Sequence, residues 1–437
     1  MTVLESFADM VLAARDAPLS PARADVLALR VFDTAGALIA GRNLPEIAPF
    51  SDMAAGVVGL PEDGAVPTVA IMHSVAAARA TEIDDIHLGA CVTPSAVIVP
   101  VALLMGRVEK GDELLRALSA GYEAMVRFGC AVGGPSLLAR GIWPTQLCAG
   151  IGASATVGAL LGLTRDQLVN ALGFSISLAA GINARGAFPT GRWAPVGIAA
   201  ANGALAAALA GRGLRADIDL LDGRWSTAIG ISLDAAVLGS PGADTANEIS
   251  FKPWCGARQT MAAVAAFRTL VEEDGLSPEL VREVTVAVPA AYRGMIDRPR
   301  LAADRQESFA DLRFNLGLAA FYPDGLYDVV RAAIPDDRLI SALAGKVRVV
   351  ADGGMTAHYP RRWPAVVTVV GNDGKVHKRE VIDVPGDPGT NFGWDVVGDK
   401  LARATGLPAD RLSCLRDRCA SLATGVAAAD VLSVAGL

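Results

Sequence analysis

With 437 residues, 52% of them hydrophobic, the chain exceeds what one hydrophobic core usually supports, so two structural domains are expected. Its formal net charge of -7 argues against a nucleic-acid partner, whose phosphates call for a basic surface. An acidic chain can still hold an anionic ligand where its few cations converge.

In chain order, apolar residues at helical spacing predict helices over 4–14, 21–40, 68–80, 95–108, 112–132, 145–163, 165–180 and 194–212, separated by Gly/Pro-rich breaks. The start of the seventh is marked by Thr164-Arg165-Asp166-Gln167, a capping-box pattern in which hydroxyl and amide side chains each satisfy a backbone N–H. The uncharged stretch 141–164 is long enough to span a bilayer, yet Ala and Gly dominate it and Pro144 interrupts its start. It reads as a buried bundle helix, and no membrane partner is expected.

After Phe251 the pattern changes. Residues 281–289 alternate like a strand, 346–351 form a second, and 365–371 pairs with 375–383 across Asn372-Asp373-Gly374, residues tolerant of positive φ. Helical segments at 260–273, 326–334 and 338–344 interleave with them. From about 392 helical spacing returns, over 395–405 and 407–419. The expected fold is mainly α: a large discontinuous all-helical domain (1–248 and 391–437) plus a smaller α+β lid domain (249–390).

The first ten residues carry Glu5 and Asp9 and lack a basic region followed by an apolar segment, so a cytoplasmic location is expected. Six cysteines (Cys91, Cys130, Cys148, Cys255, Cys414 and Cys419) show neither CxxC nor Cys/His metal spacing and read as reduced core residues, with no metal site. The loops and motifs of nucleotide-binding proteins, serine hydrolases and zinc hydrolases are missing from the sequence.

One segment concentrates chemistry. Arg79-Ala80-Thr81-Glu82-Ile83-Asp84-Asp85-Ile86-His87 brings carboxylates, an imidazole and a guanidinium into nine residues on an apolar background, where unpaired charge is costly. Glu82, Asp85 and His87 are candidates for proton transfer, His87 because imidazole titrates near neutrality. If residues 84–87 form a helical turn, Asp84 and His87 share a face and the carboxylate orients the ring. Equally, Arg79 and Glu82 have the spacing of a simple ion pair.

This segment, together with Thr93-Pro94-Ser95, Gly141-Ile142-Trp143-Pro144-Thr145, Arg192 through Ala200 and Lys252-Pro253-Trp254, resembles the 2-methylcitrate dehydratase (MmgE/PrpD) family. The likeness runs in order along nearly the whole chain. Arg79 stands where the family has a first histidine, Glu82 where it has aspartate, Ile86 where it has threonine, and Thr93 where it has the histidine of His-Pro-Ser. Trp143 and Pro195 also replace histidines, Arg192 replaces a lysine, and Leu318 replaces a tyrosine. Asp84, Asp85, His87 and Lys252 match.

The resemblance implies a cofactor-free site between helical domain and lid, acting on a small carboxylate by proton removal next to a carboxylate, with elimination, epimerisation or cyclisation as outcomes. It implies catalytic roles for His87, Lys252, Glu82 and Asp85. Substrate-binding positions would be Arg79, Thr93, Trp143, Arg192, Trp254 and Arg258, the guanidiniums being suited to carboxylate binding. It also implies a homodimer through the helical domain. The competing reading is a catalytically inactive dimer that keeps the fold and binds a carboxylate or a partner.

Overall fold

The computed structural model describes residues 1–50, 53, 66–106, 110–182, 190–240, 244–331 and 338–436. The chain divides into two compact units, one made of Met1–Ser250 with Gly393–Leu437, the other of Phe251–Phe392.

The larger unit is helical throughout. Its first helix, Val3–Asp16, opens on a capping box between Thr2 and Glu5, and Pro21–Gly41 is capped by Ser20. The capping box expected at Thr164 is present: its hydroxyl accepts from the Gln167 amide and the Gln167 side chain accepts from the Thr164 N–H at 3.0 Å. The uncharged stretch forms the helix Pro144–Leu160, buried over nearly its whole length and packed against Gly111–Ala131 and Ala194–Gly211. Small residues permit this: a Cβ added at Gly203 would collide with the Gly150 carbonyl, so these two helices approach backbone to backbone. Among the described residues, Thr190–Gly211 is the one helical segment long and apolar enough to cross a membrane, with mean hydropathy 1.5 and 56% of it buried. The returning helices Trp394–Thr405 and Ala409–Ala420 pack on Pro21–Gly41.

The smaller unit holds a four-stranded sheet of β1 (Val281–Val288), β2 (Val347–Ala351), β3 (Ala365–Gly371) and β4 (Val376–Val381), in the order β2-β1-β3-β4. The β1/β2 pair is parallel and the other two are antiparallel. Strict alternation of buried and half-buried residues in β3 buries Ala365, Val367 and Val369 on one face. The β3–β4 hairpin turns at the expected place, with Gly374 at φ +83° and the Gly371 N–H donating to the Lys375 carbonyl. The helix Arg258–Glu272 packs on β3 and β4.

One local expectation is corrected, and one condition set out above is not met. Instead of a helix from 326, a 3-10 turn covers Pro323–Leu326 and residues 327–331 are irregular; 332–334 lie outside the described residues. Pro323 and Gly325 set that turn, and Arg331 takes φ +40° to bury its guanidinium over Phe309 and Phe314. Residues 84–87 form no helical turn either. The amides of Ile86 and His87 pair across the chain with the carbonyls of Ser250 and Val92, so the segment is extended there. Of the cysteines expected in the core, Cys91, Cys148, Cys255 and Cys419 are buried, Cys130 is half-buried and Cys414 is exposed.

Candidate functional site

The charged segment begins where the helix Thr68–Ala80 ends. Arg79 lies in its last turn, and Glu82 takes φ +55°, a left-handed residue that reverses the chain. That reversal brings Glu82 and Asp84 back onto the Arg79 guanidinium. Nη1 pairs with Asp84, and Nη2 lies 3.4 Å from a Glu82 oxygen. Arg79 is 3% exposed. Burial opposes its charge, and Asp84 followed by Glu82 more than offsets that, so its pKa lies above the ordinary arginine value.

Two indoles meet this guanidinium. Trp143, just before the helix Pro144–Leu160, and Trp193, in the 3-10 turn Thr190–Trp193, pack edge to face with centroids 5.7 Å apart. The Arg79 Cζ lies 4.9 Å from the Trp193 centroid and 5.6 Å from that of Trp143. Arg192 repeats the arrangement at 4.6 and 5.6 Å. Both distances are within cation–π range, so the two guanidiniums share one aromatic pair. Arg192 and Trp143 are half-buried, whereas Trp193 is buried. Among the described residues, the buried Nε1 of Trp193 and Nε of Arg79 have no hydrogen-bond acceptor. Each such orphan costs about 1–3 kcal/mol.

The other residues of the segment belong to different networks. Asp85 is wholly buried: Oδ1 accepts from the Ser95 N–H at 3.0 Å, Oδ2 from the Ser95 hydroxyl, and Arg30 lies 3.3 Å away. Ser95 Oγ is also 2.6 Å from the Tyr122 hydroxyl. Burial pushes the Asp85 carboxyl up to about 6, against the pull of Arg30 and Ser95, and pushes the Tyr122 phenol up as well. Arg30 also donates to the carbonyls of Ala246 and Ile249. Beside it Lys400 lies 2.5 Å from Asp33 and donates to the Ile83 carbonyl at 3.0 Å, while burial raises the Asp33 pKa.

His87 Nδ1 accepts from the Ala90 N–H at 3.0 Å, and Nε2 is 3.5 Å from Glu248. The imidazole holds the Glu248 carboxyl below its usual range, chiefly by that hydrogen bond. Thr93 is buried, its N–H donating to the Thr145 hydroxyl at 3.2 Å, which ties the segment's far end to the helix Pro144–Leu160. Of the sequence-derived residues in the larger unit, the structure therefore brings together Arg79, Glu82, Trp143 and Arg192. Asp85, His87 and Thr93 are turned to neighbours of their own.

In the smaller unit Lys252 is 1% exposed, in the irregular stretch before the helix Arg258–Glu272. Trp254 is buried with the Arg268 guanidinium 5.5 Å from its ring. Arg258 is buried and lies 2.5 Å from Asp387, which also accepts from the Val384 N–H at 2.7 Å. This pair fastens the start of the helix to the segment following β4.

Sequence reasoning missed Trp193, Ser95, Tyr122, Arg30, Asp33 and Lys400. Arg30 and Asp33 did leave a signal, being charges three residues apart within an otherwise apolar helical run. Trp193 left none beyond its place beside Arg192.

A discontinuous helical unit enclosing a guanidinium–indole cluster, with a mixed-sheet unit inserted before its last helices, is the class of molecule these features define. The MmgE/PrpD N-terminal domain matches residues 5–236 and the MmgE/PrpD C-terminal domain matches residues 254–416. The chain belongs to the MmgE/PrpD family. Over 158 residues it is 32% identical to a cis-aconitate decarboxylase of Aspergillus terreus, covering 34% of this chain and 32% of that protein. Over 115 residues it is 30% identical to the cis-aconitate decarboxylase-like protein oryM of Aspergillus oryzae, 24% of each chain. These matches span a third or less of the length of the curated relatives.

Proposed function

We propose that the protein is a cofactor-independent enzyme of lyase or isomerase type that removes a proton next to the carboxylate of a small organic acid. The observation that carries this reading is the guanidinium pair of Arg79 and Arg192 on one indole pair, with orphaned donors at Trp193 Nε1 and Arg79 Nε. Family membership and the decarboxylase relatives support the class of reaction. Removing a proton next to a carboxylate builds negative charge on its oxygens, and a guanidinium with N–H donors in a water-poor setting stabilises that charge. Arg192, half-buried and therefore reachable, is assigned to the substrate carboxylate, with Arg79 behind it.

His87 and Asp85 are assigned to holding the segment, because each meets its partners locally. The molecule is further proposed to work as a homodimer, consistent with exposed Ile198, Leu205 and Leu209 on one face of the helix Ala194–Gly211; light scattering that reports a concentration-independent monomer removes this part.

The reading is tested by incubating the protein with small carboxylates in D2O and following deuterium at the carbon next to the carboxylate. Exchange that is weakened at least tenfold in Arg192→Gln supports it. Binding without exchange would instead favour an inactive carboxylate-binding protein, a reading that the local bonds of His87 and Asp85 already favour in part.

A further inference from the structure

We infer that His87 works as an acid-sensitive clasp: as a neutral ring it closes the turn at residues 88–91, and on taking up a proton it lets that turn open while keeping its hold on Glu248. The inference is independent of the proposed carboxylate site.

The hydrogen bonds assign the tautomer. Nδ1 accepts from the Ala90 N–H at 3.0 Å and so carries no hydrogen; the hydrogen of the neutral ring is then on Nε2, 3.5 Å from a Glu248 oxygen. Gly89 leaves room for the ring, since a Cβ there would lie 3.4 Å from His87 Cε1. The ring reaches solvent on its Glu248 side, where the two side chains are 10% and 41% exposed.

A second proton can be added only at Nδ1. There it meets the Ala90 N–H, donor against donor, whereas the bond from Nε2 to the carboxylate becomes charge-assisted at both ends and strengthens. Ala90 is fully buried, so its N–H is left without an acceptor until the turn opens to water. Cys91, the last residue of the turn, takes φ +54°, a left-handed conformation that costs a non-glycine residue free energy and persists only while its surroundings hold it. Acid therefore acts oppositely on the two sides of one ring.

The neighbouring charges leave this response to the imidazole. Glu248, in the 3-10 turn Thr245–Glu248, is held below the usual carboxylate range, chiefly by its bond to His87. Arg127, on the helix Gly111–Ala131, also acts on Glu248 and is itself tied to Glu123 at 2.8 Å, while Glu123 accepts from the Thr245 hydroxyl. Burial pushes the Cys130 thiol of the same helix up to about 11. Asp85, two residues back, is pushed up to about 6, but its oxygens turn to Ser95 and Arg30. Between about pH 7.5 and 5.5 Glu248 and Cys130 keep their charge states, and the imidazole is what changes beside the Ala90 amide.

Hydrogen exchange of the full-length protein, read by mass spectrometry at about pH 7.5 and 5.5 and corrected for the intrinsic effect of pH, tests this. In the wild type, protection over residues 88–92 should fall at least tenfold on acidification, while protection over 245–250 should not fall. In His87→Asn the side-chain oxygen takes the place of Nδ1 and cannot titrate. That variant should keep 88–92 protected at both pH values and lose at least fivefold over 245–250, because no donor reaches Glu248. His87→Gln places an amide where Nε2 lies and should give the reverse pattern, with 88–92 open at both pH values and 245–250 protected.

An unchanged 88–92 in the acidified wild type, an equal loss over both stretches, or an acid response that persists in His87→Asn overturns the inference. Unchanged protection over 245–250 in His87→Asn overturns the hold on Glu248. Should either variant fail to fold, the contrast between the two stretches in the wild type decides.

Discussion

Lys400 donates a hydrogen bond to the carbonyl of Ile83 and lies 2.5 Å from Asp33, so one ammonium joins the returning helix, the second helix and the charged segment. The contact is almost wholly buried, with 1% and 4% of the two side chains exposed. Removing one partner of such a pair leaves the other charge without compensation. Lys400→Met should destabilise the folded chain by about 3–5 kcal/mol, whereas Lys400→Met combined with Asp33→Leu should recover much of the loss. Urea denaturation of the two single variants and the double variant checks this; additive losses would mean that the pair is not coupled.

Asp85 makes a pH prediction. Its folded pKa of about 6 lies above the unfolded carboxylate value of about 4, so between those pH values the folded state binds more protons than the unfolded one. Its contribution therefore favours folding below about pH 4 and is lost as pH rises through 6, a difference of about 3 kcal/mol. Other carboxylates shift in both directions, so the comparison is with Asp85→Asn. The wild-type stability minus that of the variant should fall between pH 4.5 and 7; a flat difference contradicts the assignment.

Thr145 anchors Thr93 by accepting its backbone N–H and facing its hydroxyl at 3.3 Å. Thr145→Val keeps the volume and removes the acceptor. The expected cost is about 1–3 kcal/mol, with the buried Thr93 amide left unsatisfied, read as a lowered unfolding midpoint with unchanged denaturant slope.

Gly203 tests the close approach of the two central helices. Alanine there meets the Gly150 carbonyl, and neither backbone can yield without disturbing the helix it belongs to. Gly203→Ala should cost about 1–3 kcal/mol although alanine is the better helix former; a stabilised variant would show that the helices separate easily.

Much of this was written locally in the chain. Helices of the larger unit follow from 3.6-residue apolar spacing, and the hairpin at 372–374 follows from turn chemistry, because both are decided by neighbours in sequence. The segment 326–331 was misread because apolar Leu326, Val329 and Val330 mimic a helix while Pro323 and Gly325 govern the backbone. The extended course of residues 84–87 has no signal in the sequence, because Ile86 pairs with Ser250, far along the chain, and no local pattern encodes that. At the site, Arg79 with Glu82 was visible as a three-residue spacing. The partners of Asp85 and the meeting of Trp143 with Trp193 were not, since they arise only when separate helices come together.

The discontinuity of the helical unit also has a temporal side. During synthesis Ile83 leaves the ribosome 317 residues ahead of Lys400, a wait of roughly 15–60 s at ordinary elongation rates. Throughout that interval the carboxylate of Asp33 and the turn at Ile83 lack their ammonium, and the first two hundred and fifty residues exist without their closing helices. The nascent larger unit is thus obliged to remain unfinished until residues 393–437 have been made, so its folding cannot be completed in the order in which its first helices emerge.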